Sequence, residues 1–203
     1  MNKINILFIP LAILLLSFTF VLKDIDFYKF QLEKNKVAES LNLTEENTEE
    51  NLNNEIINII SYLTGKKDIL ESSLFGEQEI SHMQDVKNII KKVIYASYIL
   101  AILSLILLIF DKERGRTLLY SGLISMILFV VLLGIFVNFD YFFIKFHELV
   151  FNNQDWIFDP SSPIVNIFPQ QFFIAFLKQV LTYTFIASIA VLILGFLLNK
   201  FKR

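Results

Sequence analysis

The chain contains no cysteine. That single absence removes disulfides, thiolate nucleophiles and thiolate-bound metals together. Histidine is nearly as scarce: there are two, His82 and His147. Two imidazoles without a thiolate make a poor zinc site. The motif E-x-x-H occurs once, at Glu79–His82, whereas a di-iron bundle needs two such motifs and further carboxylates. No metal and no other cofactor is therefore expected. The G-x-S-x-G elbow, the phosphate-binding P-loop, G-x-G-x-x-G and H-E-x-x-H are all missing, which sets aside the hydrolase, nucleotide and zinc-protease readings they carry. The formal net charge is −2, with no basic groove or recognition motif, so no nucleic-acid partner is expected.

What the chain has instead is apolar length. Mean hydropathy is +0.57 and 55% of residues are hydrophobic. Four uncharged runs stand out: Ile4–Leu22, Val93–Phe110, Leu118–Val137 and Val180–Leu198. At ~1.5 Å per residue, the shortest spans ~27 Å, close to a hydrocarbon core of ~30 Å. The fold class read from this pattern is all-α and integral to the membrane, with four transmembrane helices and an extracytoplasmic cap. The expected order is helix 4–22, cap segment 23–92 with helices of its own, helix 93–110, cytoplasmic loop 111–117, helix 118–137, outer aromatic loop 138–172, helix 173–198 and tail 199–203. The first run has one basic residue before it, Lys3, and no small-residue cleavage site after it, so a retained anchor is expected rather than a signal peptide. Pro10 within it is tolerable in a membrane helix.

Orientation follows the basic residues of short loops. Lys3, the loop DKERGR at 111–116 and the tail NKFKR all carry lysine or arginine. Those parts are expected in the cytoplasm of a multi-pass cell-membrane protein, with both termini inside and segments 23–92 and 138–172 outside.

Within 41–65, Leu52, Ile56, Ile59, Ile60 and Leu63 recur at helical spacing, which predicts a helix with one packed face. Thr44 suits its N-cap and Gly65 its end. From Glu77 to Phe110 no glycine or proline intervenes, so one continuous helix is expected there. On that helix His82 shares an arc with Met83, Val86, Ile89 and Ile90. A histidine on such a face is more often a structural one than a catalyst. Here Glu79 and Asp85 flank it at i±3, and either can orient an imidazole. Lys87, Lys91 and Lys92 are expected to snorkel to phosphate level.

The stretch 139–176 concentrates aromatic residues around His147 and Trp156, the only tryptophan. Membrane-interface anchoring is the plain reading of Phe139–Phe151. If the helices continue past the apolar runs, His82 and His147 come to the same level. Pro160, Pro163 and Pro169 interrupt any helix beyond, predicting an ordered loop whose apolar residues pack on segment 23–92. Two imidazoles in an aromatic pocket beside lipid suit acyl transfer from an ester to an amine, because one proton must be removed and another delivered near neutral pH.

The motifs FGEQEISHMQDVK at 75–87, SYLTG at 61–65, and FHELVFNNQDWIFDP with IFPQQFF over 146–173 resemble the lipoprotein intramolecular transacylase family. These are four-helix membrane proteins of Gram-positive bacteria. The resemblance covers nearly the whole chain. It implies transfer of the sn-2 acyl chain of a diacylglyceryl lipoprotein to the α-amine of that lipoprotein's N-terminal cysteine, giving the lyso-form. It also implies that His82 and His147 are the catalytic pair. Tyr62, Glu79, Asp85, Phe146, Trp156 and Phe158 are the expected substrate-binding residues. The expected partners are the lipoprotein substrate and membrane lipids, with the protein itself a monomer. Two rivals stand beside this reading. One is a non-enzymatic membrane sensor or assembly factor whose cap binds a partner. The other is an acyltransferase that uses two separate substrates.

Overall fold

The computed structural model describes residues 2–43 and 48–200; Thr44, expected as an N-cap, lies outside them. Among the described residues the regular structure is entirely helical. In order, the helices are α1 (Lys3–Lys23), α2 (Ile25–Lys34), α3 (Val37–Ser40), α4 (Thr48–Leu63), α5 (Glu77–Ile109), α6 (Arg114–Leu133), a 3-10 stretch at Gly134–Asn138, α7 (Phe139–Val150), α8 (Pro163–Ile167) and α9 (Gln170–Lys200). Four stretches are long and apolar enough to cross a membrane: α1, α5, α6 through α7, and α9. The chain divides into two compact units.

The first unit comprises residues 1–20, 93–138 and 177–203. Its pattern is inverted relative to a water-soluble bundle. Beside a few aliphatics such as Leu118 and Leu181, many buried positions are small or polar: Asn5, Ser97, Ser104, Thr117, Ser121, Ser125, Thr184 and Ser188. The outer faces carry Ile102, Leu105, Ile127, Val130, Ile186 and Ile193. Lipid tails are as apolar as leucine, so helices in a bilayer associate through close backbone approach and interhelical hydrogen bonds. Both occur here. The Ser125 and Ser188 hydroxyls are 2.6 Å apart, and the Asn5 amide donates to the Ser104 carbonyl at 3.1 Å. A methyl group on Gly195 would lie 2.7 Å from the Leu119 backbone nitrogen, and one on Gly115 would lie 2.8 Å from that of Asn199. Glycine is thus what lets α6 and α9 touch backbone to backbone.

The second unit comprises residues 21–92 and 139–176 and is cored conventionally. On α4, all five residues of the expected stripe, Leu52, Ile56, Ile59, Ile60 and Leu63, are buried. The helix ends in a Schellman motif: the Lys66 N–H donates to the Ser61 carbonyl at 2.8 Å and the Gly65 N–H to the Tyr62 carbonyl at 3.0 Å. Gly65 has φ +80°, and the Lys91 side chain occupies the space a Cβ would need. Only glycine meets both demands. Asp24 caps α2 through the Phe27 N–H at 3.1 Å. The aromatic residues of 168–176 pack on α2: Phe172 lies 5.3 Å from Tyr28 and 5.9 Å from Phe27, centroid to centroid.

One lysine departs from expectation. Lys87 is buried. Its ammonium donates to the Lys67 and Asp68 carbonyls at 2.7 and 3.0 Å and lies 3.9 Å from the Tyr62 ring centre. It is an internal strut between α5 and the turn after α4, not a snorkelling headgroup contact. Its cost of burial is offset by two carbonyls and a π face.

Candidate active site

Both histidines belong to the second unit, His82 on α5 and His147 on α7. Their rings stack with centroids 6.2 Å apart and planes inclined by 29°. They are 6% and 9% exposed respectively, so each imidazole is walled off by its neighbours. Phe151 lies 4.9 Å from His82 and 5.5 Å from His147, bridging the pair. Phe158 meets His82 edge-on at 5.5 Å. Around His147 stand Phe143 at 4.3 Å, Trp156 at 5.1 Å and Phe146 at 5.4 Å.

The helical repeat explains half of this wall. Phe143 and Phe151 sit four residues before and after His147, stacked on the same helical face. Neither was singled out from the sequence, although that spacing was there to be read. Trp156 and Phe158 arrive from the loop that follows α7.

Protonation follows from the partners. His147 Nδ1 is 2.7 Å from the Phe143 carbonyl oxygen. A carbonyl can only accept, so Nδ1 carries the hydrogen and the Nε2 lone pair of the neutral ring is free to take a proton. Burial lowers the His147 pKa below the ordinary histidine value, opposed by that hydrogen bond. His82 is pushed down to about 4, first by burial and then by the neighbouring His147, against the opposing pull of Asp85 and Asp155. Its Nδ1 is buried with no hydrogen-bond partner among the described residues. Two neutral imidazoles, one with a defined tautomer, are the ground state near pH 7.

The expected carboxylates do other work. Glu79 is buried; it accepts from the Gly76 N–H at 2.7 Å and from the Ile164 N–H at 2.9 Å. The first bond is the reach-back of a capping box, with Gly76 at the N-cap and Glu79 three residues on. The second ties α8 to the start of α5. Asp85 accepts from the Asn153 amide at 2.8 Å. Neither carboxylate hydrogen-bonds an imidazole, so the orienting role expected of them at i±3 gives way to these bonds. Tyr62 is engaged with Lys87, and its ring is not among those found against the two imidazoles. Of the expected site residues, His82, His147, Phe146, Trp156 and Phe158 come together; Tyr62, Glu79 and Asp85 support the surrounding structure.

The loop carrying Trp156 is organised by Asn153, which sequence reasoning missed. Its carbonyl accepts the Trp156 indole N–H at 3.0 Å, and its side-chain oxygen accepts the Asp155 N–H at 3.1 Å. Asp159 closes its own turn, accepting from the Ser161 N–H at 2.8 Å. Among the described residues no group of three or more His, Cys, Asp or Glu side chains could hold a metal ion.

Comparison with known proteins gives a consistent picture. The profile of the family described as "Lipoprotein intramolecular transacylase Lit" matches residues 3–173. The solved structure of the membrane-integral lipoprotein intramolecular transacylase Lit from Bacillus cereus superposes with a TM-score of 0.87 at 26% identity, covering 98% of this chain and 94% of that one. A variant of the same Bacillus cereus protein with one histidine replaced by alanine superposes with a TM-score of 0.81, also at 26% identity, covering 98% and 92%. An uncharacterised protein of Aquifex aeolicus (strain VF5) is 32% identical over 131 residues, which make up 64% of this chain and 60% of that protein. That alignment spans less than two thirds of the relative's length.

Proposed function

Because the chain belongs to the lipoprotein intramolecular transacylase Lit family, a family of acyltransferases, we propose that it moves the sn-2 acyl chain of a diacylglyceryl lipoprotein to the α-amine of the N-terminal cysteine. The observation that carries this reading is the stacked, buried pair of neutral imidazoles, His82 and His147. Donor ester and acceptor amine belong to one substrate molecule, so no enzyme nucleophile is required. Holding the two in contact can supply as much as ~7–11 kcal/mol of the barrier.

His147 is the base in this mechanism. Its Nδ1–H is tied to the Phe143 carbonyl, which turns Nε2 toward proton transfer. The α-amine has an ordinary pKa of about 7.7–8.0, so a neutral fraction is present near pH 7. That amine attacks the sn-2 carbonyl carbon. As the C–N bond forms, Nε2 takes the surplus proton from nitrogen. The tetrahedral intermediate collapses, the bond from carbon to the glycerol oxygen breaks, and the His147 imidazolium returns the same proton to that oxygen. One amide forms, one ester is lost, one glycerol hydroxyl appears, and the substrate's mass is unchanged. The depressed pKa of His147 makes its imidazolium a better acid for the last step. His82 stays neutral and donates a ring N–H to the intermediate's oxyanion, where negative charge develops. Phe146, Trp156 and Phe158 line the acyl and glyceryl groups.

The site is assigned to the outer face of the cell membrane, with both termini in the cytoplasm. The basic residues of 111–116 and of the two ends support that orientation.

Mass spectrometry of a lipoprotein's N-terminal peptide, from cells with and without this chain, tests the reaction. The expected result is the same total mass with one acyl group shifted from glycerol to nitrogen. His82→Ala and His147→Ala should each reduce conversion by at least ~10²-fold, the ordinary scale of acid–base catalysis. Full conversion by both variants would overturn the histidine mechanism.

A further inference from the structure

We propose that Ser81, Asp85 and Asn153 form a latch that positions Trp156 against His147, and that release of this latch admits the diacylglyceryl group. The proposal rests on the transacylase reading of the same site.

It starts from access. An ester carbonyl must come within about 3 Å of a catalytic imidazole nitrogen, yet both imidazoles are covered by rings. Phe143 and Phe146 are fixed in α7, and the Phe151 N–H donates to the His147 carbonyl at 2.9 Å. Those rings stay with the helix. Trp156 and Phe158 are different, because they lie on the loop beyond it.

That loop is fastened to α5 by side chains at the surface. The Ser81 hydroxyl donates to the Asp155 carboxylate at 2.8 Å, and the Asn153 amide to Asp85 at 2.8 Å. Gln78 donates to the Asp155 and Ile157 carbonyls at 3.3 and 3.0 Å. All four bonds are exposed, so water can replace each partner when the loop lifts. Gln78, Ser81 and Asp85 lie at spacings of three and four on one face of α5. The line of force from Asp85 runs through the Asn153 side chain, then the Asn153 carbonyl and the indole N–H, to a ring 5.1 Å from His147. Asp85 therefore acts on the histidine through the loop, as a positioning residue.

Two features of the chain make the test clean. It has no cysteine, and Trp156 is its only tryptophan. The full-length variant Ser81→Cys/Asp155→Cys, joined by a short reducible bis-methanethiosulfonate crosslinker, should lose at least tenfold of its transacylation of a diacylglyceryl lipopeptide. Reduction in the same sample should restore it, while Trp156 emission stays blue-shifted in the crosslinked form. In Asp85→Ala the emission should shift to the red and become more accessible to iodide; Asp85→Asn, which keeps an acceptor for Asn153, should restore the wild-type spectrum. Equal turnover before and after reduction would overturn the gate, and an unshifted Asp85→Ala spectrum would overturn the positioning role. If neither the reduced variant nor the wild type shifts the acyl group, the transacylase reading itself fails.

Discussion

A single hydrogen bond of 2.7 Å, from His147 to the carbonyl four residues back, is what distinguishes the two histidines chemically. The sequence offered them as an equivalent pair. The partner that separates them is a backbone atom, which no side-chain pattern reports. Both rings should titrate below the ordinary histidine value of about 6.5. NMR on histidine-labelled protein tests this directly, because the chain yields only two imidazole signals and one histidine variant assigns them. His82 should titrate near pH 4, and either ring titrating above 6.5 would refute the placement. The sign for stability follows. Between the unfolded value and about 4 the unfolded chain binds more protons at position 82, so stability is complete above about 6.5 and falls as the pH drops through that window. Lys87 and Glu79 teach a related lesson. Their partners are backbone groups 20 and 85 residues distant, which neither the snorkelling expected of Lys87 nor the i±3 spacing of Glu79 from His82 points to. Glu79 did leave one legible sign, the spacing from Gly76 that makes a capping box.

At the level of elements, the sequence is most legible where one physical rule dominates. Uninterrupted helix from Glu77 followed from the absence of glycine and proline, and the structure runs it to Ile109. The stripe on α4 followed from period alone. Three prolines around the short helix α8 predict a loop; yet Pro163 stands at the first helical position, where proline's missing N–H costs nothing. The contact of α6 with α9 was also hidden, since six scattered glycines do not announce which of them face a backbone. Gly195→Leu should break that contact. Overpacking of this kind costs about 1–3 kcal/mol, and here the obstructing atom is backbone rather than a movable side chain. The expected outcome is a fall of several degrees in the detergent-solubilised unfolding temperature, against little change for Gly134→Ala, which would meet nothing within 4 Å.

For the whole molecule, hydropathy alone read four long apolar helices, and their lipid-facing exteriors follow from the same pattern. Sidedness rests on few charges, and it is open to direct test. In the cysteine-free background, Lys66→Cys should react with a membrane-impermeant maleimide on intact cells, whereas Arg116→Cys should react only after permeabilisation. The reverse labelling would invert the proposed topology.

The ring of Phe143, Phe146, Phe151, Trp156 and Phe158 around the imidazoles has one more consequence. A base beside an ester is also the equipment of a lipase, and water is a far more concentrated acceptor than any amine. On the proposed chemistry, the choice between amide synthesis and ester hydrolysis is not made by the histidines, which would serve either. It is made by the dryness of the aromatic wall. Fidelity in this enzyme is a property of its hydrocarbon, and a single hole in that wall would show itself as free fatty acid.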